Sequence, residues 1–144
     1  MQAPDGFPDV SHGEGWATAS LDDVGAGPGF RKLRQALGVT AFGVNAIVLP
    51  AGMETGFHFH DEQEELYFVH RGSVEIEFGD GSVRTLGEGA LARVDAATHR
   101  KIRNSASTDA IYLVVGGKDG YVGRDGRVPE GEEQRVRSLH EAGR

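Results

Sequence analysis

Two of the six histidines of this 144-residue chain stand one residue apart, His58 and His60, and a carboxylate, Glu65, follows shortly after them. On a strand, residues i and i+2 point to the same face, so both imidazoles would enter one space. Glu65 follows a short turn, on the next strand, and can face back into that space. Two imidazoles and a carboxylate suit a divalent transition metal: Fe, Mn, Ni, Cu or Zn. With open positions left over, the same set suits iron-dependent oxygen chemistry in particular. Spacing alone also fits two strand histidines that only hydrogen-bond.

Other chemistries find less support. Cysteine is absent, which excludes disulfides and thiolate chemistry. No Ser-His-Asp or Cys-His arrangement follows from spacing, so nucleophilic catalysis is not indicated and no catalytic residue is named. His70 has the opposite strand parity to Glu65 and reads as a surface residue, while His12 and His140 lie in the terminal arms. Asp61, Glu62 and Glu64 sit in the turn after His60, where carboxylates are simply solvated. The Gly25-Ala26-Gly27-Pro28-Gly29 string does not lead into a helix able to hold a phosphate.

The elements that must position His58, His60 and Glu65 are strands. Residues 42–49 read as one, halted by Pro50-Ala51-Gly52. Residues 65–70 carry the β-branched and aromatic content that a pleated surface favours. Over 73–78, Val74, Ile76 and Phe78 alternate with Ser73, Glu75 and Glu77, the mark of one buried and one wet face. Asp80-Gly81 supplies a hairpin turn, residues 82–86 return, and 90–94, 98–104 and 110–115 complete the series. Short strands at roughly ten-residue spacing, with almost no helix, imply an all-β sandwich or barrel. Residues 1–29 are expected to be an arm packed across that barrel through Trp16, Leu21 and Val24. Residues 30–116 form the barrel and 117–144 an extension, with Val136 and Leu139 on the apolar edge of a short helix.

The run Gly52-x5-His58-x-His60-x4-Glu65-x6-Gly72 resembles the first signature motif of the cupin superfamily, spacing for spacing. The resemblance implies a double-stranded β-helix, or jelly roll, in which His58, His60 and Glu65 are metal ligands. It also implies pairing through barrel strands into a homodimer. The second cupin motif is altered. Gly89 and Asn104 fit its ends, but Asp95 and Ala97 replace its proline and glycine, and Arg100 stands at the position of the fourth ligand, a histidine in the family. Ile102 is the sole large apolar residue of 98–104 and marks the buried face, which Arg100 and Asn104 share by parity and His99 does not.

A guanidinium has no lone pair for a metal and matches a carboxylate. Arg100 is therefore expected either to pair with Glu65, partly taking the charge role of a metal, or to reach an anionic substrate beside a three-ligand metal. Tyr67 and Asn104 complete the expected pocket, with Phe42, Val69 and Tyr112 as further lining.

Charge and hydropathy narrow the partners. A net charge of −7 argues against a nucleic-acid surface, and the basic run Arg100–Arg103 reads as the solvated face of a strand. No apolar run approaches the roughly 20 residues that span a bilayer. The first residues lack the basic start and apolar core of a signal peptide, so a cytoplasmic location is expected. The functional expectation is a protein that binds a small molecule at a divalent-metal site, as a metal-dependent oxygenase or isomerase. The alternative is a metal-free module for a small anionic ligand in which Arg100 pairs with Glu65.

Overall fold

A computed structural model describes residues 6–129 of the chain. A small hairpin of β1 (Ser11–Gly13) and β2 (Trp16–Thr18) leads through a 3-10 turn at Leu21–Asp23 to β3 (Gly29–Arg31) and a one-turn helix, α1 (Leu33–Leu37). The strands β4 (Gly43–Leu49), β5 (Phe59–His60), β6 (Glu64–Arg71), β7 (Val74–Phe78) and β8 (Val83–Leu86) follow. β9 (Leu91–Val94), β10 (Arg100–Arg103), β11 (Ala110–Gly117) and β12 (Gly126–Arg127) complete the order. The all-β expectation holds, with α1 the single short helix among the described residues.

Two sheets carry the fold. One is ordered β3-β4-β11-β6-β9 and the other β10-β7-β8. Their inner faces meet in one core: Ile47 and Leu49 from β4, Val69 from β6 and Tyr112 from β11 pack against Val74, Ile76, Leu86 and Ile102 of the second sheet. Alternation explains this division, since each strand turns every second residue inward. On β7, Val74 and Ile76 are buried, while Glu75 and Glu77 face Arg103 and Lys101 of the antiparallel β10 and pair with them. The basic run is thus half inward and half neutralised on the strand face. The Asp80-Gly81 turn joins β7 to β8 as expected, with Asp80 Oδ1 accepting from the Ser82 amide at 2.9 Å.

The outer face of the larger sheet is covered too. Val10, Val24, Leu33 and Ala36 bury Ala46 there, with Leu21 packed alongside. β4 is therefore apolar on both faces, which accounts for its continuous run from Ala46 to Leu49. Val24 and Leu21 pack as expected of the arm, but Trp16 does not: it is 54% exposed, its ring lying over the Gly13 backbone in the hairpin. Val10, Val24, Leu33 and Ala36 already cover the outer face of the sheet, and the Trp16 ring lies over Gly13 within its own hairpin. The helix expected around Val136 and Leu139 lies outside the described residues. Among the described residues no helix is long and apolar enough to cross a membrane.

Two motif glycines set the corners of this frame. Gly52 has φ +80° and Gly72 has φ +75°, a left-handed backbone that other residues rarely adopt. A Cβ at Gly72 would also lie 2.8 Å from the Asp109 carbonyl oxygen.

Candidate metal centre

His58 and His60 reach the barrel interior because residues 52–60 run along β10 as an irregular strand. The His58 amide donates to the Arg100 carbonyl at 2.9 Å, the Arg100 amide donates back at 3.0 Å, and the Thr55 amide donates to Ile102 at 2.9 Å. This pairing turns both imidazoles inward, in an edge-on contact with ring centroids 5.4 Å apart. Phe59 between them points the other way and stacks on His99, which is exposed as its parity predicts. Glu65 enters from β6, fixed in register between Val94 of β9 and Gly116 of β11.

The three side chains converge. Donor atoms of His58, His60 and Glu65 all lie within 4.8 Å of one another. His60 Nε2 is 3.1 Å from Glu65 Oε1, and His58 Nε2 is 4.0 Å from the same oxygen. The His60 contact lacks the alignment of a hydrogen bond, so its buried Nε2 has no hydrogen-bond partner. The other nitrogen, Nδ1, is 2.9 Å from Asp125 Oδ1. An ionised carboxylate only accepts, so Nδ1 carries the proton there and Nε2 is the atom left for a ligand.

Asp125 belongs to the segment that β12 zips onto β5, with Gly126 opposite His60. It also accepts from the Glu62 amide at 2.7 Å, the Gln63 amide at 2.9 Å and Gln63 Nε2 at 2.5 Å. Burial would raise its pKa, but these donors outweigh burial and hold it well below the usual carboxylate range. No period-two pattern marks residues 117–126, so this residue escapes sequence reading. Only its place beside Gly126 in a turn-rich stretch hints at a fixed loop.

Arg100 occupies the wall behind Glu65. It is 0% exposed, and Nη2 donates to Glu65 Oε1 at 3.0 Å. Its Nε donates to the Tyr67 hydroxyl at 3.2 Å, and Nη1 donates to the carbonyls of Thr98 at 2.5 Å and Ala96 at 3.2 Å. The Tyr67 hydroxyl in turn donates to Glu65 Oε1 at 2.7 Å. The expected Arg100–Glu65 pair is present. Arg100 does not line the cavity, so in this geometry it does not reach a ligand.

Asn104, also expected in the pocket, lies outside the lining as well. Its side chain donates to the carbonyls of Leu49 and Thr108 at 2.9 and 2.8 Å and accepts from the Ala106 amide, a loop-fixing role. Tyr67 and Tyr112 do line the cavity, whereas Val69 is plain core and Phe42 is exposed.

The electrostatics follow from burial and neighbours. Burial and then the Arg100 charge push the His58 pKa down to about 4, so this ring is neutral at physiological pH. For His60, burial alone would lower the pKa, but the contact with Glu65 and the bond to Asp125 outweigh it and raise it. Burial opposes ionisation of Glu65, yet His60, Tyr67 and Arg100 together keep its pKa below the ordinary value. Burial and the Glu65 charge raise the Tyr67 hydroxyl well above its usual pKa, so it serves as a neutral donor.

This donor set fits a divalent metal. Neutral His58, the His60 Nε2 that faces Glu65 without a hydrogen bond, and the Glu65 carboxylate would hold it, while Arg100 places a fixed cation nearby and weakens its hold. They form the floor of a cavity of about 520 Å³, within the usual size of small-molecule sites.

Comparison with known proteins agrees with this frame. Residues 45–116 match the family model described as the cupin domain. A sugar phosphate isomerase from Silicibacter pomeroyi is similar at 26% identity and TM-score 0.61, over 70% of this chain and 75% of that one. A cupin protein from Bacteroides fragilis is similar at 26% identity and TM-score 0.62, over 80% and 98%. A protein with a double-stranded β-helix domain from Klebsiella pneumoniae shares the fold at 18% identity and TM-score 0.63, over 78% and 96%. No curated protein sequence matches the chain.

Proposed function

This chain belongs to the cupin family, and from that premise we propose that it binds a small molecule at a divalent transition metal held by His58, His60 and Glu65. The observation that carries the reading is the convergence of these donors within 4.8 Å, with His60 Nε2 buried, without a hydrogen bond and 3.1 Å from Glu65 Oε1. Bound there, a divalent metal would polarise a carbonyl or hydroxyl oxygen of the ligand. The chain's own residues do the rest: Asp125 keeps the proton on His60 Nδ1, and Arg100 and Tyr67 fix Glu65. Of the two activity classes in question, we favour isomerase over oxygenase, supported by the similarity to the Silicibacter pomeroyi sugar phosphate isomerase.

Elemental analysis of untagged protein, incubated with Fe, Mn, Ni, Cu or Zn and desalted, tests this beside a His58→Ala, His60→Ala variant. Bound metal near one per chain in the wild type, lost in the variant, is expected. No metal in either protein would contradict it. A second reading then applies, and one specific observation favours it: Arg100 Nη2 sits 3.0 Å from Glu65 Oε1, so a guanidinium already balances the carboxylate. In that reading the cavity is a metal-free binding module for a small anion.

A further inference from the structure

The cavity wall and the whole chain carry opposite charge. The chain has 15 Lys and Arg against 22 Asp and Glu. The lining instead brings together Lys32, Arg34, Arg124 and Arg127, and among the described residues its one carboxylate is Glu65. Glu65 is already held by Arg100 and Tyr67, so it offsets little of this charge. Lys32 and Arg34 come from the α1 region, Arg124 and Arg127 from the tail that β12 fastens beside His60. The Arg34 guanidinium lies over the Tyr121 ring, 4.1 Å from its centroid, which braces one side of the cavity against the other. Arg127 is engaged by Asp61 at 2.8 Å. Lys32 and Arg124 make no ion pair among the described residues.

We infer that Lys32, Arg34 and Arg124 form an anion-recognition rim, and that the natural ligand is a small organic anion whose carboxylate or phosphate monoester sits at this rim. Its uncharged part then points toward the floor of His58, His60 and Glu65. The inference rests on the reading of the cavity as a small-molecule site, not on the presence of a metal. It assigns recognition to the rim because Arg100, the cation nearest the floor, is sealed from the cavity. Lys32 and Arg124 are exposed and Arg34 is half-buried, so the rim stands at the mouth of the cavity, where cations of one sign raise the potential for an entering anion even in a protein of net negative charge.

Isothermal titration of the full chain, stripped of metal with EDTA and dialysed, tests the rim with three probes: glycerol 3-phosphate, succinate and glycerol. At least one anion should bind while glycerol does not, and the stronger of the two anions identifies phosphate or carboxylate as the group read. The Arg34→Gln, Arg124→Gln variant should bind that anion about tenfold more weakly or worse, since charge-assisted hydrogen bonds are lost. Arg84→Gln, an exposed cation on β8 away from the cavity, should bind as the wild type does. Because the double variant could unfold, Arg34→Lys, Arg124→Lys serves beside it and should retain part of the affinity. Binding of neither anion, equal binding of glycerol, or an equal loss in Arg84→Gln would overturn the inference. Failure of the metal reading would show separately, as absent metal in a wild type that still binds the anion.

Discussion

The inward rows of β6 and β10 begin polar and end apolar. On β6 the row runs Glu65, Tyr67, Val69; on β10 it runs Arg100, Ile102. The same two strands, with the same alternation, thus build a charged floor at one end and a dry core at the other. At the core end the side chains of Val69, Val74, Ile76 and Ile102 are held by apolar packing. At the site end a buried carboxylate, a buried guanidinium and a buried phenol are held by hydrogen bonds to one another. Replacing such a polar set by well-packed apolar residues is often neutral or stabilising. A polar set of this kind contributes less to stability than an apolar end would, so the site end differs from the core end in what holds it together.

The largest effect should separate the two ends by pH. Arg100→Ala leaves Glu65 buried without its partner and should cost about 3–5 kcal/mol at neutral pH. Ile102→Ala should cost about 2–5 kcal/mol through the cavity it leaves. In urea denaturation, acidification should recover part of the Arg100→Ala loss as Glu65 takes a proton, while the Ile102→Ala loss stays constant. Parallel pH responses would erase the distinction between the ends.

Asp125→Ala should act on the metal more than on the fold. Losing the carboxylate behind His60 Nδ1 frees the tautomer and should weaken metal binding by about 10–100-fold. Zinc competition against a chromophoric chelator would measure this; affinity equal to wild type would break the link between tail and floor.

His58 supplies a smaller, signed effect. With a folded pKa of about 4 against 6.5 for an unperturbed histidine, the unfolded chain takes a proton at His58 that the native state refuses. Between these values the unfolded state binds more protons, so the His58 contribution falls as pH drops from 6.5 to 4. The raised His60 works oppositely: its contribution is present below the unfolded pKa and is lost as pH rises through the folded one. Imidazole NMR of metal-free protein should show His58 neutral until about pH 4 and His60 titrating above the ordinary value. A shared, ordinary midpoint would contradict both environments. Smallest of all, Arg93→Ala on the exposed β9 pair with Glu64 should leave the urea midpoint unchanged.

The comparison of the two ends also explains what could be read beforehand. Strand alternation is local, so it revealed the shared face of His58 and His60 and the choice of Arg100 over His99 as the inward residue. The pairing of Arg100 with Glu65 was one of the two arrangements that charge allowed once both were inside. Asp125 was not legible, because its contact with His60 crosses 65 residues of sequence and leaves no periodic trace. Nor was the rim, whose cations come from a helix of five residues, too short to show a helical period, and from an irregular tail. Asn104 faced inward as its parity required, yet it met backbone carbonyls instead of a cavity. Direction is encoded in the pattern, whereas what a side chain meets depends on tertiary packing.

The most direct test of the central claim is anomalous diffraction at the manganese edge from crystals of wild-type protein grown with Mn. A single peak within coordination distance of His58, His60 and Glu65, with Arg100 still paired to Glu65, is the predicted result. A map without a peak there, or with the metal bound elsewhere, would contradict the assignment of these residues as a metal centre.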